Sequence, residues 1–248
     1  MFDLVKGPEE KVRILGHRGA MGHAPENTMA SFRLGRELGA DMIELDVHLS
    51  RDRVPVVIHD ENLARTTNGK GDVNELTLAQ LQRLDAGSRH SPEFAGERIP
   101  SLDEVLAWAK GKIPVNIEIK NGPRFYRGIE RLVLEAVARH GALDEVVVSS
   151  FDHLCLQAIK KMEPRIRTGI LYSSRFWDPV GYARRLGADA FHPRWNYVTA
   201  EFVREAHEAG LAVNSWVANS PALMETLIEL GVDMIGTNYP DRLKAAAS

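Results

Sequence analysis

Cysteine is almost absent, with Cys155 the only one in 248 residues. No disulfide framework and no cysteine-built zinc site is open to this chain, so any metal must be held by carboxylates or imidazoles. Long apolar runs are missing as well. None approaches the ~20 residues that span a bilayer, and residues 1–16 show no apolar core ahead of a cleavage-like site, as a secretory leader would. A cytoplasmic protein with no stable membrane insertion is expected. Neither sign of charge dominates: 31 Lys and Arg stand against 34 Asp and Glu, a formal net charge of −3. That excludes wholesale binding along a nucleic-acid backbone but leaves room for a locally basic pocket around one phosphate.

What is present is a rhythm. Short β-branched runs alternate with helix-period segments such as Ala30/Leu34/Leu38 and Leu132/Ala136, the pattern of parallel strands joined by crossover helices. The runs are Val12–Gly16, Met42–Leu49, Val56–Ile58, Val115–Ile119, Val146–Ser150, Thr168–Leu171, Ala190–His192, Ala212–Val217 and Met234–Gly236. Gly39-Ala40-Asp41, Gly187-Ala188-Asp189 and Gly231-Val232-Asp233 recur at strand entries, each glycine suited to the left-handed position past a helix end. Gly187, Gly210 and Gly231 follow one another at 23 and 21 residues, one βα unit each time. Repeated units over this length predict a TIM (β/α)8 barrel.

Nine runs are one too many for eight strands. Only residues 50–55 separate Met42–Leu49 from Val56–Ile58, too few for a parallel crossover. The two must form an antiparallel hairpin, a β-hairpin extension after strand 2, which leaves eight for the barrel. Residues 61–100 break the rhythm, with a polar turn at Asn68-Gly69-Lys70-Gly71 and one short helical piece over Leu76–Leu84. This segment reads as a small insertion over the C-terminal mouth of one barrel domain spanning 1–248. Ser101 and Glu104 have capping-box spacing, so a helix restarts there.

Functional residues of such barrels sit where the strands end. The first strand ends on His17-Arg18, the hairpin arm on His59-Asp60, and later strands on Ser150, Tyr172, His192, Trp216 and Asn238. Glu44 and Asp46 lie two apart on one strand, as do Glu118 and Lys120 on another, so each pair shares a face. If those faces point inward, three carboxylates converge at one rim. Their mutual repulsion is relieved by a hard divalent cation with oxygen ligands, Mg²⁺, Ca²⁺ or Mn²⁺. The hairpin should place His59 roughly opposite Asp46. Glu118 alone is the kind of acid that usually makes a salt bridge. Glu44 and Asp46, framed by Met42, Ile43, Leu45 and Val47, are more telling, because burying carboxylates is costly. His48 falls on the other face as packing or surface, and Trp216 taken alone is core. His90, His140, His153 and His207 read as structural or exposed, and His23 as a loop residue.

Taken together, His17-Arg18-Gly19, Glu26-Asn27-Thr28, Glu44-x-Asp46, His59-Asp60 and Glu118-x-Lys120 resemble the ordered motifs of the glycerophosphodiester phosphodiesterases. Ile99–Leu106, Ser150-Phe151-Asp152 and Thr237-Asn238-Tyr239-Pro240 extend the resemblance over about residues 13–242. It implies that Glu44, Asp46 and Glu118 bind one divalent cation. It implies phosphate contacts from Arg18 and Lys120, and general base and acid in His17 and His59. Glu26 would bind metal or hold a neighbour, Asn27 would fix its loop, and Trp216 would face the glycerol or the leaving alcohol. Gly16 and Gly19 are expected to let the backbone approach the phosphate. The implied activity is metal-dependent hydrolysis of a small-molecule glycerophosphodiester to sn-glycerol 3-phosphate and an alcohol, a step in lipid and glycerol metabolism, by a monomer or homodimer. The first nucleophile is either water or the substrate's own 2-hydroxyl. A neighbouring alternative is lysophospholipase D-type hydrolysis of lysophospholipids on the same fold, which needs an apolar loop that the polar insertion does not offer. A silent binding module predicts loss of a histidine or metal acid, and all five are present. A barrel aldolase would use Lys120 as a Schiff base, which fits its carboxylate neighbours less well than phosphate contact.

Overall fold

The computed structural model describes residues 3–7 and 9–247. The strands are β1 (Arg13–Gly16), β2 (Met42–Leu49), β3 (Pro55–Val57), β4 (Val115–Ile119), β5 (Val146–Ser150), β6 (Arg167–Tyr172), β7 (Ala190–Pro193), β8 (Ala212–Ser215) and β9 (Met234–Thr237). The helices are α1 (Met29–Glu37), α2 (Leu78–Leu81), α3 (Leu102–Ala109), α4 (Ile129–Arg139), α5 (His153–Met162), α6 (Pro179–Leu186), α7 (Ala200–Glu208), α8 (Pro221–Glu229) and α9 (Pro240–Ala246). β1 pairs in parallel with both β2 and β9, which closes a parallel ring of eight strands. With helices between the strands, this is a TIM barrel.

β3 stands outside the ring, antiparallel to β2, with Val47 opposite Val57 and Leu49 opposite Pro55. The register is one residue off the sequence expectation. The Ile58 N–H donates to the Asp46 carbonyl at 3.0 Å, so His59 lies one step beyond Asp46.

Alternation along β2 sorts its side chains into two environments. Ile43, Leu45 and Val47 join the large apolar layer between strands and helices, while Met42, Glu44 and Asp46 take the opposite, inward parity. All eight residues of β2 are buried, as expected of a strand covered on both faces. At the bottom of the barrel Leu4, Leu15, Met42, Val147, Ala190, Ala212 and Met234 form an apolar plug. Above it the inward positions turn polar. A Cβ at Gly169 would come within 2.2 Å of the His192 ring, so the missing side chain is what gives that imidazole its place inside the barrel.

Gly39, Gly187 and Gly231 have φ of +97°, +72° and +83°, the left-handed helix ends that the recurring pattern predicts. Ser101 caps α3 through a complete capping box with Glu104. Residues 58–100 carry a separate apolar cluster that includes Ile58, Leu63, Val73, Leu81 and Ile99. The helix expected over 76–84 shrinks to α2. Beyond it Asp85 turns the chain, its carboxylate accepting from the backbone N–H groups of Gly87, Ser88 and Gly96.

Candidate active site

The end of β1 delivers His17 and Arg18. The His17 backbone N–H donates to Thr237 O, and its Nδ1 lies 2.7 Å from Asn238 Oδ1. An amide oxygen only accepts, so Nδ1 carries the proton and Nε2 is the unprotonated nitrogen. Burial, reinforced by the Arg18 charge, pushes the His17 pKa down to about 4, so the ring is neutral near pH 7. Arg18 sits at φ 52°, a conformation rare for a residue with a Cβ. That turn aims its backbone N–H at Glu44 Oε2, 2.8 Å away, while its guanidinium reaches Glu26 Oε1 at 2.8 Å and Asp46 Oδ2 at 3.3 Å.

The flanking glycines serve a different purpose from the one expected. A Cβ at Gly16 would meet the Gly19 carbonyl at 2.6 Å, and one at Gly19 would meet Ser31 Oγ at 2.4 Å. Both let the loop fold onto itself and onto α1.

β2 and β4 bring the three carboxylates together. Ligand oxygens of Glu44, Asp46 and Glu118 all lie within 4.8 Å of one another. Desolvation and the charges of Asp46 and Glu118 push the Glu44 pKa well above the usual carboxylate range. Glu118 is also raised, chiefly by burial, against the pull of Lys120. Asp46 moves the other way. Burial opposes its charge, but Lys120 and Arg18 outweigh that and hold it strongly ionised. Glu44 Oε1 and Asp46 Oδ1 are buried and accept no hydrogen bond. Buried carboxylate oxygens without a hydrogen bond are what a hard cation would satisfy. The donor set therefore fits one divalent ion.

Lys120 Nζ lies 2.6 Å from Glu118 Oε1, 3.4 Å from Asp46 Oδ1 and 3.1 Å from His59 Nε2. Burial works against its charge, and Asp46 and Glu118 prevail, so its pKa is raised. His59 Nδ1 faces Asp60 Oδ1 at 2.6 Å. Both His59 nitrogens are thus engaged, the first by a carboxylate and the second by the ammonium. Asn27 fixes Asp46 from two sides, its Nδ2 donating to Asp46 Oδ2 at 2.8 Å and its Oδ1 accepting from the Asp46 N–H at 3.2 Å. Glu26 lies outside the carboxylate cluster and grips Arg18.

His17, Arg18, Glu44, His59, Glu118 and Lys120 line one cavity of about 90 Å³ together with Trp216, His192, Asn214 and Phe151. By the ~10–15 Å³ that one water needs, this admits roughly half a dozen waters, enough for the phosphodiester core of a substrate. Trp216 lines it while donating from Nε1 to the His192 carbonyl at 2.7 Å. Its core reading gives way to a cavity wall. His192 is buried and held neutral, its pKa pushed down to about 3 by desolvation.

Three supporting residues have roles that the sequence does not assign. Arg65, from the inserted segment, donates to both Asp60 oxygens and to both Glu26 oxygens. Asn238 holds His17, as above. His48 has the parity of Glu44 and Asp46, two residues further along the same face of β2, and not the other face expected for it. Its Nδ1 accepts from Tyr126 OH at 2.9 Å and its Nε2 meets the His59 carbonyl at 2.9 Å. A carbonyl accepts only, so Nε2–H is the donor there, and His48 pins the backbone of His59. The strand-end position of Asn238 was a usable signal. Arg65 gives none, since its segment has no periodicity. His23 lies away from the cavity, bonded to Asp241 at 3.0 Å with its ring edge-on to Tyr239. Tyr172 turns into the outer apolar layer.

The sequence profile of the glycerophosphoryl diester phosphodiesterase family matches residues 17–242. A glycerophosphodiester phosphodiesterase of Caldanaerobacter subterraneus subsp. tengcongensis is 42% identical over 234 residues, 94% of this chain and 96% of the relative. Among solved structures, an Oleispira antarctica phosphodiesterase in complex with the product sn-glycerol-3-phosphate is 30% identical with a TM-score of 0.88, covering 95% of this chain and 96% of that one. A glycerophosphodiester phosphodiesterase from Agrobacterium tumefaciens is 31% identical with a TM-score of 0.84, covering 94% and 99%. Profile, relatives and architecture agree: the chain belongs to the glycerophosphoryl diester phosphodiesterase family and is a phosphoric diester hydrolase.

Proposed function

We propose that the cavity hydrolyses glycerophosphodiesters to sn-glycerol 3-phosphate and an alcohol such as choline or ethanolamine, with His17 and His59 as the proton-transfer pair. The observation that carries this reading is the convergence of two differently held imidazoles, two cations and two carboxylates on one small cavity, with Asp46 beside them completing the acidic cluster. His17, kept neutral with Nε2 unprotonated, is suited to take the proton of the attacking oxygen, whether water or the substrate's 2-hydroxyl. His59, its ring anchored at Nδ1 by the Asp60 carboxylate, is the group that gives a proton to the leaving alcohol. Arg18 and Lys120 hold the phosphate oxygens. Glu26 and Asn27 keep Arg18 and Asp46 in place, and Trp216 walls the glycerol or alcohol side.

Glu44, Asp46 and Glu118 would hold one divalent cation, Mg²⁺, Ca²⁺ or Mn²⁺, which when bound supplies Lewis-acid stabilisation of charge on the phosphoryl oxygens. The family match supports this reading of the acidic cluster. The chain acts as one unit, with 61–100 inserted over the mouth and supplying Arg65. Among the described residues no helix is long and apolar enough to cross a membrane, and we place the enzyme in the cytoplasm.

The test is release of sn-glycerol 3-phosphate from glycerophosphocholine, with and without chelator. Activity that chelation abolishes and divalent metal restores is expected. Full activity in chelator would remove the cation from the reaction, and no release under any metal would refute the substrate assignment.

A further inference from the structure

The large apolar side chains left in solvent are not scattered. Six are exposed among the described residues: Phe125, Phe151, Leu154, Met162, Trp177 and Trp195. Met162 ends α5 at the bottom of the barrel. The other five lie on the segments that follow β4, β5, β6 and β7, four successive strands, and so occupy one half of the rim around the mouth. Trp177 is fully exposed, and Leu154 and Phe125 are 76% and 73% exposed. The loop carrying Trp177 is braced from beneath, because Phe176 stacks on Tyr182 at 5.1 Å and packs on Tyr172 at 4.7 Å. Phe125 and Phe151 face one groove between neighbouring loops, floored by Ile119 and Gly122.

The charge on these loops is uneven. Arg127, Arg175 and Arg194 make no ion pair with a carboxylate among the described residues, whereas Arg124 is tied to Asp72 and Glu61. The acids on the same loops are occupied. Asp152 accepts from Asn121 Nδ2 at 2.7 Å and caps α5 through Leu154 N, and Asp178 caps α6 through Gly181 N and lies 3.6 Å from Arg185. Glu201 and Glu205, on α7, line the same pocket as Arg175 and Trp177. A chain with net charge −3 therefore presents unpaired arginines among its most exposed aromatic side chains.

We propose that this half-rim docks peripherally on an anionic lipid surface. Aromatic rings seat at the boundary between headgroups and acyl chains, and arginines beside them meet anionic headgroups. Residues 61–100, on the other half of the mouth, expose no large apolar side chain and would stay in water. A soluble diester could then still enter from that side. A second copy of this chain is the competing occupant of the rim.

The test is flotation of the intact protein with vesicles of phosphatidylglycerol and phosphatidylcholine, against vesicles of phosphatidylcholine alone, at low and high salt. Binding is expected to the anionic vesicles and to weaken as salt rises. Leu154→Ser combined with Trp177→Ser should weaken partitioning by about ten- to a hundredfold, given the apolar surface the two withdraw. Arg175→Ser with Arg194→Ser should flatten the salt dependence, and Met162→Ser, at the far end, should change nothing. Melting curves check the fold. If the first pair melts early, Phe125→Ser and Arg175→Ser singly carry the same expectations. No flotation with anionic vesicles, or a response to Met162→Ser as large as to the rim pair, overturns the proposal. A concentration-dependent dimer that the rim pair dissolves assigns the surface to a second copy and overturns it too.

Discussion

Replacing Arg65 by methionine removes the one side chain that ties both arms of the site together. Arg65 donates to the two oxygens of Asp60, which faces His59 Nδ1, and to the two oxygens of Glu26, which holds Arg18. Charge-assisted bonds of this kind contribute ~1.5–3 kcal/mol each when buried. The Arg65 side chain is 47% exposed, so solvent screening cuts the total to about 1–2 kcal/mol of stability. The effect on turnover should be larger than that figure implies. With Asp60 released, the His59 ring is no longer held at one angle, and a small misplacement of a proton donor lowers kcat by about 10- to 100-fold. Lysine at this position keeps a charge but cannot span both carboxylates, so Arg65→Lys should recover only part of the loss.

The assay is steady-state cleavage of glycerophosphocholine by the single variants, by Asp60→Asn, and by the double variant, with melting temperature as a control. Because Arg65 acts on His59 through Asp60, that share of its effect on kcat should be lost in the Asp60→Asn background, leaving only what it exerts through Glu26 and Arg18. A kcat within twofold of the parent, or full additivity with Asp60→Asn, would refute the linkage.

His17→Ala and His59→Ala should each lower kcat by about 10²- to 10⁴-fold with the fold intact, and near-normal turnover by either would end the acid–base assignment. Asn238→Asp places a carboxylate on His17 Nδ1 and should raise its pKa from about 4, moving the acid limb of the kcat/KM profile to higher pH; an unmoved limb would show that His17 is not the titrating base. Glycerophosphocholine should be cleaved faster than lysophosphatidylcholine, since residues 61–100 offer no exposed apolar wall, and the reverse order would favour the lysophospholipase D alternative. His192 is neutral in the fold with a pKa near 3 against 6.5 when unfolded. Its depressed value means full stability above pH 6.5 and progressive loss as pH falls toward 3. Denaturant titrations of His192→Gln should therefore show a slope of stability against pH shallower by about 1.4 kcal/mol per unit on the acid side, and parallel curves would contradict that.

The barrel was readable because its strands are short β-branched runs with little else to be. The hairpin was readable because six residues cannot cross a sheet in parallel. The acidic cluster was readable for a related reason: Glu44-x-Asp46 inside an apolar frame has no cheap explanation. What resisted reading was everything carried by long-range contact from aperiodic chain. Arg65 meets Glu26 across 39 residues, from a segment with no repeating pattern to place it. His48 was expected on the other face of β2, but two-residue alternation puts it on the face of Glu44 and Asp46, where it holds the backbone of His59. At Gly16 and Gly19 a glycine near a site invites a ligand explanation, and only coordinates show the Gly19 carbonyl and Ser31 filling the space a Cβ would need. The lipid-facing half-rim is likewise invisible in sequence, since its five residues come from four separate loops.

The two-faced sorting along β2 has a consequence for how this protein tolerates change. Core and chemistry are written on alternate letters of one eight-residue word, with Ile43, Leu45 and Val47 on one parity and Met42, Glu44 and Asp46 on the other. Loops around the mouth can gain or lose residues with only local effect. A single insertion or deletion inside β2 exchanges the two alphabets, sending carboxylates into the apolar layer and isoleucine into the cavity in one step. Length variation in descendants of this chain should thus accumulate between strands and be purged within them, leaving the strand count rigid and the mouth free to diversify.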